Sequence, residues 1–522
     1  MRTVLDAFAA LILIMAFTAQ MLRWLRVLQR EHYEPAAMSR FLGRWSSPQV
    51  ASAKSAERTR AKRPVTLTHV LVVILLIALF TRVTALVVVD SALYGILCPQ
   101  GLSIKGRTSR LNWTRRLKTV AGVTTLLALL IGGLGLLAPD PFLGAVVVVW
   151  AVPLLLDLSA RSLEPLERRL ANRFVAEATS KLRRIAPRVI AVTGSFGKTS
   201  TKNHLADLLG SNRGVVATPR SFNNRAGLSR AINETLGDDA RVFIAEMGTY
   251  GPGEIRELCQ WCVPEIAIVT ALGPVHLERM KSLDVIESAK REITEMATTV
   301  VMNIDDGRLA RWPDTLEFEG KRVRTAGSMN HDASVRVAVV HDQWSISVDG
   351  REVVIVDQIA GVQATNLACA IAAAIEVGVG VDELVSHLGR VAPVANRANV
   401  VAASSGVLVI DDTFNANPAS ALSALTVLMD LKMSGRRVVV TPGLIELGRE
   451  QYVENLAFAQ KVSARGCELV VVGRTNALAL QTGFDGVVRR FDTRDEAVDW
   501  VRTSLVVGDG VLYLNDLPDH YP

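Results

Sequence analysis

Hydrophobic positions follow two different patterns along this chain. Up to residue 156 they form long blocks. Val4 to Leu22 is apolar apart from Asp6, Thr18 and Gln20, Leu67 to Ile96 is interrupted by Arg82 and Asp90, and Val120–Ala138 and Phe142–Leu156 are separated only by Pro139, Asp140 and Pro141. A helix needs about 20 apolar residues to cross roughly 30 Å of hydrocarbon, so these blocks predict four spanning helices. The first lacks a small-residue cleavage site before Arg23, Arg26 and Arg30 and reads as a retained anchor. From Arg188 onward the blocks shorten to Val/Ile runs such as Val189–Val192, Val242–Ala245, Ile266–Thr270 and Thr299–Met302, which alternate with helical stretches. That alternation predicts βαβ units and a mostly parallel sheet.

At 522 residues the chain is long enough for three or four domains. It divides here into a transmembrane helical region (1–160), a linker helix (161–187), a central α/β domain (188–390) and a C-terminal α/β domain (391–522). Charge divides the same way, with 25 Lys and Arg against 10 Asp and Glu in residues 1–187, and 33 against 41 in the remainder. A basic, apolar first part joined to an acidic remainder predicts a lipid bilayer as partner and argues against nucleic acid, whose binding would put the positive charge on the soluble domains. Lys105, Arg107, Arg110, Arg115, Arg116 and Lys118 before the third block, and Arg161, Arg168, Arg169 and Arg173 after the fourth, place both segments in the cytoplasm. The expectation is a multi-pass plasma-membrane protein with cytoplasmic catalytic domains and an external turn at Asp140. The basic residues between 23 and 65 conflict with a single crossing at 67–96, so a re-entrant hairpin around Arg82 is the alternative path. Arg82 and Asp90 themselves read as snorkelling side chains near helix ends. The five cysteines, Cys98, Cys259, Cys262, Cys369 and Cys467, are too scattered for a disulfide framework, and Cys259-x-x-Cys262 has no second pair to complete a metal site.

The first short strand runs into Thr193-Gly194-Ser195-Phe196-Gly197-Lys198-Thr199-Ser200, and a helix follows. Glycines let backbone N–H groups curl around phosphate oxygens, the helix N-terminus adds positive potential, Lys198 neutralises terminal phosphates and the Thr199 hydroxyl can reach Mg²⁺. The loop is therefore a candidate ATP site, although Val192 stands where the general pattern has its outer glycine. The bland alternative is a Gly-rich turn between strand and helix.

The shorter form resembles the Mur ligase family of ATP-dependent amide-forming enzymes, and the resemblance continues to about residue 517. It is carried by Ser221-Phe222-Asn223-Asn224-Arg225-Ala226-Gly227, Ala245-Glu246-Met247-Gly248, the Thr270–Glu278 segment, Ala289-Lys290-Arg291-Glu292-Ile293 and Asn303-Ile304-Asp305-Asp306. Asp411-Asp412-Thr413-Phe414-Asn415-Ala416-Asn417-Pro418 and Ile445-Glu446-Leu447-Gly448 further resemble the member that adds D-alanyl-D-alanine. The resemblance implies a central P-loop α/β domain and a Rossmann-like C-terminal α/β domain, here preceded by an all-α region. It also implies ATP and Mg²⁺ as cofactors, with Gly194, Ser195, Gly197, Lys198, Thr199 and Ser200 around the phosphates. Thr199 would hold one Mg²⁺ and Glu246 with His276 a second, Lys290 would be carbamylated, and Lys198, Lys290 and His276 would be the catalytic set. Asn303 and Asp306 would meet adenine and ribose, Arg397 and Asp412 would reach the nucleotide from the C-terminal domain, and Asn223, Asn224, Asn415 and Asn417 would meet substrate. The implied partners are a cell-wall precursor carboxylate and an amino-acid or dipeptide amine, joined through an acyl phosphate.

Departures from the family pattern bear on the substrate. The family's soluble uridine-diphosphate-gripping domain is replaced by the apolar blocks. Gly361-Val362-Gln363-Ala364-Thr365-Asn366 keeps only part of a Gly-x-His-Asn segment, and Leu514-Asn515-Asp516-Leu517-Pro518-Asp519 stands where the dipeptide adder has Lys-Gly-Ser. Two other functions stay open at this level: a membrane-anchored ligase acting on a lipid-linked envelope or capsule polymer, and a non-catalytic nucleotide-binding scaffold. Oligomeric state is left open as well.

Overall fold

The computed structural model describes residues 2–34, 36–46, 67–81, 83–99, 102–106, 111–210, 213–341, 343–359, 361–392, 399–413, 416–517 and 521. Arg82, Arg107, Arg110, Arg397 and Asn415 lie outside them.

The first part is all-helical: α1 (Arg2–Arg30), α2 (Ala37–Ser46), α3 (Leu67–Thr81), α4 (Thr84–Leu97), α5 (Arg115–Gly135) and α6 (Leu143–Ile185). Two expectations are revised. The 67–96 block is divided into α3 and α4, each too short to span alone, so three helices rather than four have the length and apolarity to cross a membrane. The fourth block is the opening of α6, a 43-residue helix of about 65 Å that contains the expected linker and continues through Pro153 and Pro165. Helices α5 and α6 form a close hairpin: a Cβ on Gly135 would lie 2.4 Å from Gly144 Cα, so only glycine permits this crossing. Asp157 of α6 accepts hydrogen bonds from Met38 N, Ser39 N and Ser39 Oγ at 3.1, 2.9 and 2.5 Å, which places a carboxylate at the start of α2.

The far half of α6 leaves this bundle and docks on the next domain. Ala178 and Leu182 join a core with Leu228 and Ile232, and Lys181 Nζ donates to Asn233 O at 2.9 Å. That domain is built on nine strands, β1 (Arg188–Thr193), β2 (Val215–Ala217), β3 (Val242–Glu246), β4 (Ile266–Val269), β5 (Thr299–Asn303), β6 (Arg322–Gly327), β7 (Val335–Val340), β8 (Gln343–Val348) and β9 (Arg351–Asp357). Their order is β2-β3-β1-β4-β5-β6-β7-β8-β9. All pairs from β2 to β7 are parallel, while β7–β8 and β8–β9 are antiparallel. Strands β1, β3 and β4 are buried along almost their whole length, as expected of parallel strands covered by helices on both faces. The chain runs from β1 out to the β2–β3 side and then crosses to β4. The loops after β1, β3 and β4 therefore diverge around one crevice at the carboxyl ends of the strands, the usual location of a ligand site in an open α/β sheet.

The C-terminal sheet comprises β10 (Asn399–Ala402), β11 (Leu408–Asp412), β12 (Arg437–Thr441), β13 (Glu468–Val472), β14 (Arg489–Phe491) and β15 (Gly510–Leu514). Its order is β10-β11-β15-β12-β13-β14, parallel except at the β10–β11 edge. The turn after β12 is held from below by buried Asn455, whose Oδ1 accepts from Leu444 N at 2.7 Å and whose Nδ2 donates to Leu444 O at 2.9 Å. Replacing it by the isosteric apolar residue leaves a buried N–H unpaired, which costs about 1–3 kcal/mol. Asn455→Leu is expected to lower the unfolding free energy of the C-terminal domain in urea by that amount, seen as a lower midpoint with an unchanged slope. A midpoint equal to the parent's would contradict this support role.

Candidate active site

The glycine loop links β1 to helix α7 (Lys198–Leu209). Gly194 and Gly197 have φ of 152° and 80°, and neither has room for a side chain. A Cβ on Gly194 would sit 2.0 Å from Thr270 Oγ1, and one on Gly197 2.2 Å from Asn366 Oδ1. The two glycines thus allow the loop after β4 and the helix Ala364–Val377 to press against the loop from either side. Ser195 fixes the first contact, with its Oγ donating to Gly273 O at 3.0 Å and its N–H donating to Ala271 O at 2.7 Å. Lys198 Nζ folds back to Gly194 O at 2.7 Å and Ser195 O at 3.4 Å, directly over the concave side of the loop. Ser200 lies in the first turn of α7.

Beneath the loop lies a buried acidic group. Glu246 closes β3, opposite Val192 in register, and its side chain is 1% exposed. Its Oε2 accepts from Thr199 Oγ1 at 2.9 Å and from Lys202 Nζ at 3.2 Å, and its Oε1 accepts from Asn223 Nδ2 at 3.1 Å. Lys202, equally buried, also donates to Thr218 O at 2.8 Å and Arg220 O at 2.5 Å. A carboxylate this deep must be compensated, and one ammonium with two neutral donors accomplishes that. The Thr199 hydroxyl and the Glu246 carboxylate together form an oxygen pair at the start of a phosphate-type loop. This donor set suits Mg²⁺, which takes one or two carboxylates and completes its shell with water and phosphate. Among the described residues no three His, Cys, Asp or Glu side chains converge as an all-protein metal cage.

Lys290, on the helix Leu283–Arg291, is 3% exposed and makes no hydrogen bond or ion pair among the described residues. Burial, assisted by repulsion from the Lys198 ammonium, pushes its amine well below the ordinary lysine value. The Lys290 amine is thus close enough to Lys198 to feel its charge. His276 lies apart from Glu246's partners. It adopts a left-handed φ of 52° ahead of the short helix Leu277–Met280, and its Nδ1 is bonded to Glu446 Oε2 of the C-terminal domain. The Tyr250 ring meets it edge-on at 4.6 Å between centroids.

The remaining expected residues hold the walls. Asn303 Nδ2 donates to Thr270 O at 3.0 Å, and Asp306 Oδ2 accepts from Leu272 N at 2.6 Å, so both pin the loop after β4. Asn224 caps the helix Arg225–Thr235 by accepting from Gly227 N at 2.9 Å. Asn417 forms a capping box with Ser420 at the helix Pro418–Asp430. In both asparagines, expected at the substrate, the side-chain oxygen serves as a helix cap. Asp412 is buried at the end of β11. Cys259 and Cys262 are both fully buried, and burial raises the Cys259 thiol to about 12, which leaves it protonated and unreactive.

Sequence reasoning passed over Lys202, Tyr250 and the role of Glu446. A signal existed for Lys202, which falls one helical turn after Lys198 on the same face of α7. None existed for the His276–Glu446 pair, whose members are 170 positions apart.

Comparison with known proteins agrees with this geometry. The Mur ligase middle domain matches residues 192–374 and the Mur ligase glutamate ligase domain residues 396–514. The UDP-N-acetylmuramoyl-tripeptide–D-alanyl-D-alanine ligase of Mycobacterium leprae is 31% identical over 55% of this chain and 61% of its own length. That of Mycobacterium tuberculosis is 31% identical over 62% of this chain and 67% of its own. The chain thus spans about three-fifths to two-thirds of the curated relatives it matches. MurF from Acinetobacter baumannii superposes with TM-score 0.58 at 22% identity, covering 66% of this chain and 77% of that one. MurF ligase from Thermotoga maritima in complex with ADP gives 0.57 at 22%, over 66% and 80%. These two likenesses are of fold.

The matches also correct the expected location. A multi-pass plasma-membrane protein was expected, but the relatives are ligases named for a uridine nucleotide substrate, which is water-soluble, and the matched domains begin only at residue 192. The apolar N-terminal helices qualify as spans by length and composition only, and with the second block broken the multi-pass assignment is withdrawn. The two domain matches lie in sequence order across the crevice-bearing part of the molecule, the similarity to the tuberculosis relative extends over two-thirds of that protein, and this chain belongs to the Mur ligase family.

Proposed function

We propose that the protein is an ATP-dependent ligase that joins the carboxylate of a cell-wall precursor to the amine of an amino acid or dipeptide, D-alanyl-D-alanine being the preferred amine. The observation that carries the reading is the buried Glu246 carboxylate tied to Thr199 directly below the glycine loop. A loop serving only as a turn has no need of a compensated charge beneath it.

In this reading the backbone N–H groups of residues 196–199 at the α7 N-terminus hold the phosphates of ATP, and Lys198 swings from the Gly194 carbonyl to the terminal phosphate. The acceptor carboxylate oxygen attacks the γ-phosphorus, the bond to the β-bridging oxygen breaks, and ADP leaves. The amine then attacks the acyl carbon, phosphate departs, and a proton is lost from nitrogen. Phosphate is a far better leaving group than hydroxide, which is why the step is divided in two. Mg²⁺, held by Thr199 and Glu246, would screen the charge that spreads over the transferred group. Lys290 supplies a neutral amine in a dry site, the form that adds CO₂ to give a carbamate with loss of a proton. That modification converts a group that would repel a cation into one that attracts it. His276 and Asp412 are assigned to the acceptor side and the nucleotide side of the closed crevice, respectively.

Purified protein given ATP, Mg²⁺, UDP-N-acetylmuramoyl-tripeptide and D-alanyl-D-alanine is expected to release phosphate in an acceptor-dependent manner, and Lys198→Ala to reduce the rate by about 10²-fold or more. Phosphate release independent of any acceptor, or unaffected by Lys198→Ala, would overturn the ligase reading. Lys290 also gives a pH test in CO₂-free buffer. The folded chain holds this amine neutral whereas the unfolded chain protonates it up to about pH 10.4, so the unfolded state binds more protons and wild-type stability rises with pH in that window. Lys290→Met is therefore expected to be more stable than wild type at pH 7, with the difference shrinking towards pH 10. A difference that does not vary with pH would contradict the buried neutral amine.

A further inference from the structure

The turn after α1 reaches the catalytic side of the central domain. Glu34 Oε2 lies 2.5 Å from Arg279 Nη2, Glu31 Oε2 lies 3.5 Å from the same nitrogen, and Arg40 grips Glu34 with two hydrogen bonds of 3.0 Å. The Arg279 side chain is 17% exposed, so this pair is screened far less than an ordinary surface bridge. Its guanidinium stacks over the Tyr250 ring at 4.6 Å, and the same ring meets His276 edge-on. Beyond the imidazole stands Glu446. Glu31, Arg40, Phe41 and Tyr521, all from outside the central domain, line one small cavity with His276 and Glu446.

These contacts form a continuous chain from the N-terminal helices through Arg279, Tyr250 and His276 to the C-terminal domain. His276 has a strained left-handed backbone, and its ring is held by the Glu446 carboxylate on Nδ1 and by the Tyr250 edge. With Nδ1 occupied, Nε2 is the only ring nitrogen left to face the crevice, and its direction is set by the ring's tilt. Tyr250 packs against that ring, and Tyr250 is itself held by a cation whose counter-charges, Glu31 and Glu34, come from the turn after α1.

We infer that Glu34 is a positioning residue for the ligase site: acting through Arg279 and Tyr250, it holds the His276 ring in the orientation the reaction uses. The N-terminal helical region thereby completes the site rather than merely carrying it. The inference rests on the ligase reading for its kinetic consequence but not for its geometry, so two measurements are combined. In acceptor-dependent phosphate release, Glu34→Gln, which keeps the side chain's size, is expected to lower kcat about tenfold with KM for ATP within twofold of the parent. Arg279→Met should do the same, and the double variant should be no worse than either single, because both act along one path. Independently of turnover, the ring NMR signals of His276, identified by their loss in His276→Gln, should shift and broaden in Glu34→Gln at a pH where the parent gives one sharp set. Unchanged ring signals in Glu34→Gln overturn the inference whatever the kinetics. Shifted ring signals with kcat within twofold, or with strictly additive losses in the double variant, overturn the positioning role. An inactive parent with shifted ring signals would remove the ligase reading and leave the mechanical link standing.

Discussion

Glu246 ends a central strand with 1% of its side chain exposed, and an ion so placed is tolerable only because Lys202 stands 3.2 Å away with Thr199 and Asn223 filling its other positions. Nearly every part of the crevice is tied to that arrangement. Lys202 and Thr199 belong to the helix that the glycine loop starts, so the pair locks α7 to β3 across β1. Lys202 also binds the carbonyls of Thr218 and Arg220, which fixes the approach to the Asn223 segment. Removing one partner of such a pair leaves an uncompensated buried charge, which costs about 3–5 kcal/mol, so the loop, the strand end and the Asn223 segment stand or fall together.

Above this anchor the glycine loop is clamped between two walls. The Thr270–Gly273 segment bonds to Ser195 and Phe196 on one side, and Asn366 fills the space over Gly197 on the other. Asn303 and Asp306 stiffen the first wall from behind. Preorganised walls leave the backbone N–H groups little to rearrange when a phosphate arrives, and that is where such a loop gains its binding strength. The C-terminal domain contributes Glu446 from a turn fastened by Asn455, which carries the closure between domains down to the His276 ring.

Much of this was legible in the residues, and what was not has a physical reason. The strand, the glycine turn and Lys198–Thr199 are local, and a βαβ pattern with a Gly-rich turn reads directly from periodicity. Glu246 and Lys290 could be placed near the loop only by resemblance, because their proximity is created by the parallel strand order. Asn224 and Asn417 illustrate the opposite case. A polar residue ahead of a helix satisfies the capping rule and a substrate motif equally well, and here the backbone takes the side chain. The 67–96 block reads as one span by apolarity, and the division into two helices falls between Thr81 and Thr84, where the re-entrant alternative placed its turn. Pro165, which would ordinarily mark a helix end, sits inside α6. The Glu34–Arg279 link joins residues 245 positions apart and leaves no trace in any local window.

The most direct test of the account is the response of Lys202→Met in two measurements on one preparation, denaturant unfolding and ATP binding by calorimetry. The account predicts destabilisation of about 3–5 kcal/mol and loss of most ATP affinity. A variant as stable as the parent that binds ATP equally well would show that the buried pair is not what holds the nucleotide loop.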